Sequence, residues 1–499
     1  MKPLKAFLEG IPCSWNGLGE LAAPIRSVQS DSRKVRAGDL FVAVSGLHVD
    51  GRQFIHEAVR RGAKAVISER WDNQIGQNGI PQFCVSNARH ILGRLAACAY
   101  DYPARKLKCI GITGTNGKTT TAFLIQHLIN AASRCGLVGS IYYDDGRGKL
   151  PSTHTTPAPE TLHETLAQMV DRGLSYCVME VSSHALSQDR TEGIEFSSAV
   201  FTNLTQDHLD YHRDFEDYFT AKRKLFLGPS VPEHVVINRD DSYGARLIEE
   251  LAKANRRFVS FGIKTPSDYS AAGIQLAWDH IDFELSAKGS RFPVSAPLIL
   301  RHNIYNALAA LGAVSEEGFP LLEMIRQLAD FRGVSGRMER IEEGQDFYVF
   351  VDYAHTPDGL FHVLSSLEAL SKRRVISVFG CGGDRDPGKR PLMGQVASRF
   401  SDVVILTSDN SRSERPEDIL GQIKAGIDLF PKKADVRVLA DRKEAIGQAI
   451  EMAESGDVIL IFGKGHEHYQ IIGEEKIPFQ DQEVARYWLK RRCSPLAKS

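Results

Sequence analysis

Short apolar runs bounded by polar residues recur along this chain and alternate with longer stretches of helical period. DLFVAV, FIHEAVRRG and AKAVISE read as strand, short helix ending in glycine, and strand. KCIGIT reads as a strand and TAFLIQHLI as the helix after it. SYCVMEVS, SAVFTNL and HVVINRD, then FYVFVDYA, RRVISVFG, SDVVILTSD and DVILIFGKG, are apolar runs bounded by polar residues. Such runs fit strands of a parallel sheet covered on both faces. Residues 269–297 alternate instead, which predicts antiparallel strands. The segment YFTAKRKLF predicts a helix. The expectation is an α/β chain of three domains: residues 1–107, 108–334 and 335–499. The central sheet is expected to be mostly parallel with helices on both faces, and the last domain Rossmann-like. Open sheets of this kind collect ligands at the carboxyl ends of their strands.

Composition narrows the function classes. The 499 residues carry a formal net charge of -1, which argues against a surface built for nucleic acid. The eight cysteines are scattered singly, without metal-ligand spacing, which predicts a reduced compartment. The stretch MKPLKAFLEGIP is too short and polar for a signal peptide, and no apolar run reaches the roughly 20 residues that span a bilayer. A cytoplasmic protein without stable membrane insertion is expected, most simply a monomer.

The stretch GITGTNGKTT, residues 111–120, raises the first chemistry. It misses the general phosphate-loop pattern by one position, because Ile112 stands where glycine is expected. The physics still fits a nucleotide. Gly114 and Gly117 permit a tight turn whose amides face phosphate oxygens, with Thr115 and Asn116 between them. Lys118 brings a mobile positive charge and Thr119 a hydroxyl for magnesium; after Thr120, TAFLIQHLI reads as the helix whose N-terminus favours an anion.

Other strand ends carry ionisable groups. Glu180, in MEVSSH, is a candidate magnesium ligand beside phosphates. Asp207, His208, Asp210 and His212 cluster in TNLTQDHLDYH. Lys222, Arg223 and Lys224 read equally as a solvated basic face or as a site. GCGGDRDPGKRPLM brings Arg385, Lys389 and Arg390; TSDNSRSERP brings Asn410 and Arg412; GKGHEHYQ brings Glu467. These loops read either as surface turns or as a clamp in which arginines take a carboxylate and Glu467 an ammonium.

Taken in order, DSRKVRAGDLFVAVSGLHVDGRQFI, TGTNGKTT, HTTPAPE, MEVSSHAL, FTNLTQDHLDYH, AKRKLF, RHNIYNALAA, GRME, VDYAHTPD, GCGGDRD, DNSRSE and GKGHE resemble the Mur ligase family nearly end to end. The likeness is strongest to members that add the third residue to UDP-N-acetylmuramoyl-L-alanyl-D-glutamate. The resemblance implies ATP and Mg2+ as cofactors, in cytoplasmic peptidoglycan precursor synthesis. It implies ATP contacts from Gly114 to Thr120 and from Asn303, Arg337 and Asp352. It implies that Ser32 and His48 lie near the uridine diphosphate, and that Thr155, Thr156, Ser182, Gln188 and Arg190 touch the nucleotide sugar peptide. Thr119, Glu180 and His208 would hold magnesium, helped by Lys222 as a carbamate.

The implied reaction is phosphorylation of the D-glutamate carboxylate, followed by attack of an amine on the acyl phosphate. Diaminopimelate-adding members resemble DNPR where this chain has DNSR, residues 409–412, whereas lysine-adding members usually lack the arginine. Arg412 would therefore grip the far carboxylate of meso-2,6-diaminopimelate, with Asp409, Asn410, Gly463 and Glu467 around it and Arg390 completing the clamp. Two departures stand out: Ser411 replaces the proline, and Leu300 stands where relatives commonly have glycine. The competing readings are an L-lysine-adding ligase, a folylpolyglutamate synthase-like ligase, and a nucleotide-dependent switch or scaffold without turnover.

Overall fold

The computed structural model describes residues 1–46, 49–76, 79–208, 211–228, 230–367, 370, 373–429 and 434–493. Three large sheets use successive stretches of chain. The first has five strands, in the order Ser14–Trp15, Gln82–Cys84, Ala65–Ser68, Leu40–Val42, Val28–Gln29. All but the first pairing are parallel.

The second sheet has eleven strands. Its parallel centre places Tyr176–Glu180 and Phe196–Phe201 on either side of Lys108–Thr113. It then continues through His234–Asn238 and Val259–Gly262. The alternating stretch becomes an antiparallel meander, Tyr269–Leu276, Ile281–Ala287 and Ser290–Ala296. A hairpin of Tyr142–Asp144 and Lys149–Pro151, absent from the pattern reading, closes the other edge.

Strand periodicity explains why the central runs are apolar on every position. Ile110, Ile112, Val178 and Val200 point to one face, where helices Lys118–Asn130 and His302–Glu316 pack. Cys109, Cys177, Met179, Ala199 and Phe201 point to the other, against helices Pro159–Asp171, Phe215–Leu227 and Ser242–Lys253. Both faces are dry, so neither tolerates a polar alternation.

The third sheet has six strands, with Tyr348–Asp352, Val458–Phe462, Val375–Phe379, Val403–Leu406 and Asp435–Val438 parallel in that order. Phe350, Phe379 and Leu460 fill one face, while Val349, Val351, Ile376 and Ile461 fill the other. A small hairpin, Tyr469–Ile472 with Glu475–Pro478, and the helix Asp481–Cys493 follow. Among the described residues no helix is long and apolar enough to cross a membrane.

Leu300 is fully buried at φ +68°, a conformation glycine takes without strain and leucine adopts at a cost. It keeps that place because its side chain joins the core of the third unit.

Candidate active site

The loop after Lys108–Thr113 turns on two glycines. Gly114 has φ +150° and a Cβ there would collide with Thr202 Oγ1; Gly117 has φ +85° and would meet Asn306 Oδ1. No other residue fits either place, so the loop lies directly on the strand and helix behind it. Asn116 N donates to Asn203 Oδ1 at 2.9 Å and Thr115 N to Asn203 O at 2.9 Å, which fixes the turn. Lys118 Nζ folds back onto the carbonyls of Gly114 and Thr115, at 2.9 and 2.8 Å. Burial lowers the pKa of this ammonium.

Thr119 Oγ1 donates to Glu180 Oε2 at 2.8 Å. Glu180 is fully buried, and its other oxygen accepts from Ser140 N at 2.8 Å. Ser140 Oγ lies 3.0 Å from Thr155 Oγ1. Thr156 Oγ1 donates to Glu180 O at 2.8 Å and accepts from Ser182 N. Arg190 donates to Thr156 O and to Gln188 Oε1, both at 2.8 Å. The structure thus draws Thr155, Thr156, Ser182, Gln188 and Arg190 into one network around the backbone and carboxylate of Glu180. Ser32 lies apart in the first unit, where its hydroxyl donates to Glu57 at 2.8 Å. His48 and Asp210 fall outside the described residues.

Lys222 sits in the helix Phe215–Leu227, 1% exposed, so it is no solvated face. Its Nζ donates to Gly114 O at 2.8 Å and lies 4.5 Å from the centre of the Tyr218 ring. Burial, then the neighbouring Lys118 charge, drives its pKa well below the ordinary lysine value. Tyr218, which the sequence reading passed over, is a hub: its hydroxyl is 3.1 Å from Thr115 Oγ1 and its ring packs on His212. His208 is exposed at φ +55°, with its ring 4.8 Å from that of His184.

Among the described residues, the single group of three His, Cys, Asp or Glu ligand atoms close enough for a metal lies elsewhere, at His90, Asp189 and Glu192. Lys224 already neutralises Asp189 there, at 3.1 Å, so that group is an ion-pair seam.

A cavity of roughly 440 Å3 opens beside the loop, lined by Thr115–Thr120, Asn303, Arg337, Asp352 and His362, among others. Asn303 Nδ2 donates to Ile299 O at 2.7 Å and its Oδ1 accepts from Asn306. Both oxygens of Asp352 accept backbone amides, Met338 N at 2.7 Å and Ala354 N at 2.8 Å. Burial nevertheless raises its pKa. Arg337 reaches Thr119 Oγ1 at 3.4 Å and stacks 4.6 Å over Tyr353, while its buried Nε has no hydrogen-bond partner among the described residues. Asp358, in the VDYAHTPD segment but overlooked there, accepts from Asn116 Nδ2 at 3.0 Å and from Thr205 Oγ1 at 2.9 Å.

Arg412 and its neighbours do not line this cavity. Between them stands Tyr353, chain neighbour of the cavity-lining Asp352 and Ala354, whose ring lies 5.1 Å from that of His466 in the GKGHE loop. Arg412 has φ +51°, and the hairpin holds it there: its N donates to Ile471 O and its O accepts from Gly473 N. Those bonds fix the backbone that a proline at 411 would otherwise restrain. Gly463 lies against the Asp409 carboxylate.

Arg390 departs from the expected clamp. Its terminal nitrogens engage Glu414 at 2.8 Å twice, Gln422 at 2.8 Å and Gly382 O at 3.2 Å, while its buried Nε has no partner among the described residues. Glu414, 24 residues further along the chain but adjacent in space, takes the fork with both carboxylate oxygens. Arg390 thereby braces the loop that carries Arg412.

Three Mur ligase descriptions cover the chain: "Mur ligase family, catalytic domain" matches residues 24–100, "Mur ligase middle domain" 112–314, and "Mur ligase, glutamate ligase domain" 336–465. The chain belongs to the Mur ligase family. Among its curated relatives is the UDP-N-acetylmuramoyl-L-alanyl-D-glutamate--2,6-diaminopimelate ligase of Geobacillus kaustophilus (strain HTA426). It is 44% identical over 475 residues, spanning 94% of this chain and 95% of the relative. A solved structure of a ligase with the same name superposes with TM-score 0.70 at 34% identity, covering 95% of this chain and 97% of that one. The folylpolyglutamate synthase of Mycobacterium tuberculosis, 21% identical with TM-score 0.61, shares the fold over 74% of this chain and 91% of its own.

Proposed function

We propose that this Mur ligase joins meso-2,6-diaminopimelate to the D-glutamate of UDP-N-acetylmuramoyl-L-alanyl-D-glutamate at the expense of ATP, in the cytoplasm and as a monomer. Residues 1–107 take the UDP moiety, 108–334 the ATP and 335–499 the amino acid. The observation that carries the amine choice is Arg412, pinned by the hairpin; among the described residues its guanidinium is hydrogen-bonded through Nη1 alone, to Gly383 O at 2.6 Å. The remainder of its fork suits a carboxylate that lysine lacks.

The cavity beside residues 114–120 takes the nucleotide, with Asn303, Arg337 and Asp352 at its wall. Lys118 and the loop amides face the phosphates. The substrate carboxylate attacks the γ-phosphorus and ADP leaves; the amine nitrogen then attacks the acyl carbon, loses its proton, and phosphate departs. The chain acts by positioning these groups and offsetting their charge. The Thr119 hydroxyl and the buried Glu180 carboxylate are hard oxygen donors in mutual reach, which fits Mg2+. His208 and a carbamate on Lys222 complete its proposed holders. When bound, magnesium neutralises phosphate charge.

The test is ligation of UDP-N-acetylmuramoyl-L-alanyl-D-glutamate with ATP and magnesium, offering meso-diaminopimelate or L-lysine. Strong preference for meso-diaminopimelate is expected; equal use of both amines overturns the assignment.

A further inference from the structure

The GKGHE loop contains a lysine that the functional reading leaves idle. Lys464 is fully buried, although its chain neighbours Gly463 and Gly465 carry it directly into the amino-acid site. Its Nζ lies 3.1 Å from Asn410 Oδ1, 3.1 Å from Glu467 Oε2 and 3.8 Å from Asp409 Oδ1. An ammonium with no route to solvent is retained only where it is paired and hydrogen-bonded, and these partners meet that need.

Those contacts impose an orientation on the pocket. Asn410 Oδ1 receives Lys464 and, at 2.9 Å, Ile471 N, so its amide nitrogen must face the other way. That nitrogen donates to Glu467 Oε2 at 2.9 Å. Glu467 Oε2 is therefore doubly engaged, while Oε1 takes no donor among the described residues. The charges also count out: Asp409 and Glu467 are two carboxylates facing one ammonium, leaving one negative charge for a ligand. Without Lys464 the two carboxylates would repel each other, and Asn410 would lose the contact that settles its amide.

We infer that Lys464 is a positioning residue for the incoming amine: it holds Asn410 and Glu467 so that one Glu467 oxygen is presented to the ammonium of the diamino acid. The inference rests on the functional reading above. A lysine serving the fold alone would sit in the same place, so the test has to separate binding of one substrate from general integrity.

The measurement is kcat and KM for all three substrates in the full-length enzyme carrying Lys464→Met, Glu467→Gln, or both. Lys464→Met is expected to raise KM for meso-diaminopimelate by at least about tenfold, with KM for ATP and for the UDP-dipeptide held within about twofold. The double variant is expected to match Glu467→Gln alone, because the lysine acts through that carboxylate. Independent, multiplying effects would overturn the inference, as would an unchanged KM for meso-diaminopimelate or an equal rise in all three KM values. If Lys464→Met does not fold, the double variant, which removes the ammonium together with one of its two carboxylates, decides: a KM equal to that of Glu467→Gln supports the inference and a further rise overturns it. Failure of the functional reading is distinguishable, since the unaltered enzyme would then form no product from the three substrates.

Discussion

Lys222 Nζ donates a 2.8 Å hydrogen bond to the carbonyl oxygen of Gly114, so a helix on the far face of the central sheet is tied to the first residue of the phosphate loop. The bond joins positions 108 residues apart and keeps a lysine where burial and Lys118 favour its neutral, nucleophilic form. A neutral amine is the form that adds carbon dioxide to give a carbamate and a proton.

Replacement Lys222→Ala is accordingly expected to lower kcat by about 100-fold or more, with partial recovery when a short-chain carboxylic acid supplies the missing anion. A modest fall in melting temperature should accompany it, since the alanine leaves a cavity and takes the donor from Gly114 O. Turnover equal to that of the unaltered enzyme would remove Lys222 from the reaction.

Arg412→Ala is expected to reduce the preference for meso-diaminopimelate over L-lysine by about 100-fold or more, because the carboxylate loses its bidentate partner. The readout is the ratio of kcat/KM for the two amines. A preserved ratio would place the specificity elsewhere, and Arg390, already committed to Glu414, would not be the residue to inherit it.

Asp358 ties the third unit to the phosphate loop through Asn116 and to Thr205 beside it. Asp358→Ala removes two hydrogen bonds to a charged acceptor, each on the order of 1.5–3 kcal/mol, and leaves Asn116 without that brace. A rise of about tenfold in KM for ATP is expected. Unaltered nucleotide affinity would mean that the contact does not order the loop.

Buried histidines set an acid limit on stability. Burial holds His163 and His302 at a pKa of about 4. In the unfolded chain the same imidazoles titrate near 6.5. Between those values the unfolded state binds protons that the native state refuses. Their contribution is therefore complete above about pH 6.5 and is lost as pH falls toward about 4, by on the order of 3 kcal/mol per histidine. His163→Gln should flatten the decline of melting temperature between about pH 7 and pH 5. An unchanged slope would mean that His163 titrates normally.

Much of the fold was legible because its signals are local. A strand covered on both faces must be apolar at every position, as in Val458–Phe462, and an alternating strand must not, as in Ile281–Ala287. The two short hairpins escaped the pattern because strands of three or four residues are too brief to carry a period. The site was legible where chemistry and turn residues coincide, as in the loop 114–120, and where segments match a known order. Ser140 and Asp358 were not singled out, since a serine after a strand and an aspartate after a proline are ordinary turn residues.

The sequence alone determined which stretches are strands, which loops end them, and which charges those loops carry, because backbone period and glycine conformation are properties of neighbouring residues. Only the tertiary structure decided which charge meets which. It gave Arg390 to Glu414, freed most of Arg412 from internal partners, buried Lys222 against Gly114, and set Lys464 between two carboxylates. Pairing energy depends on separation and burial, and both are fixed by contacts between residues far apart in the chain.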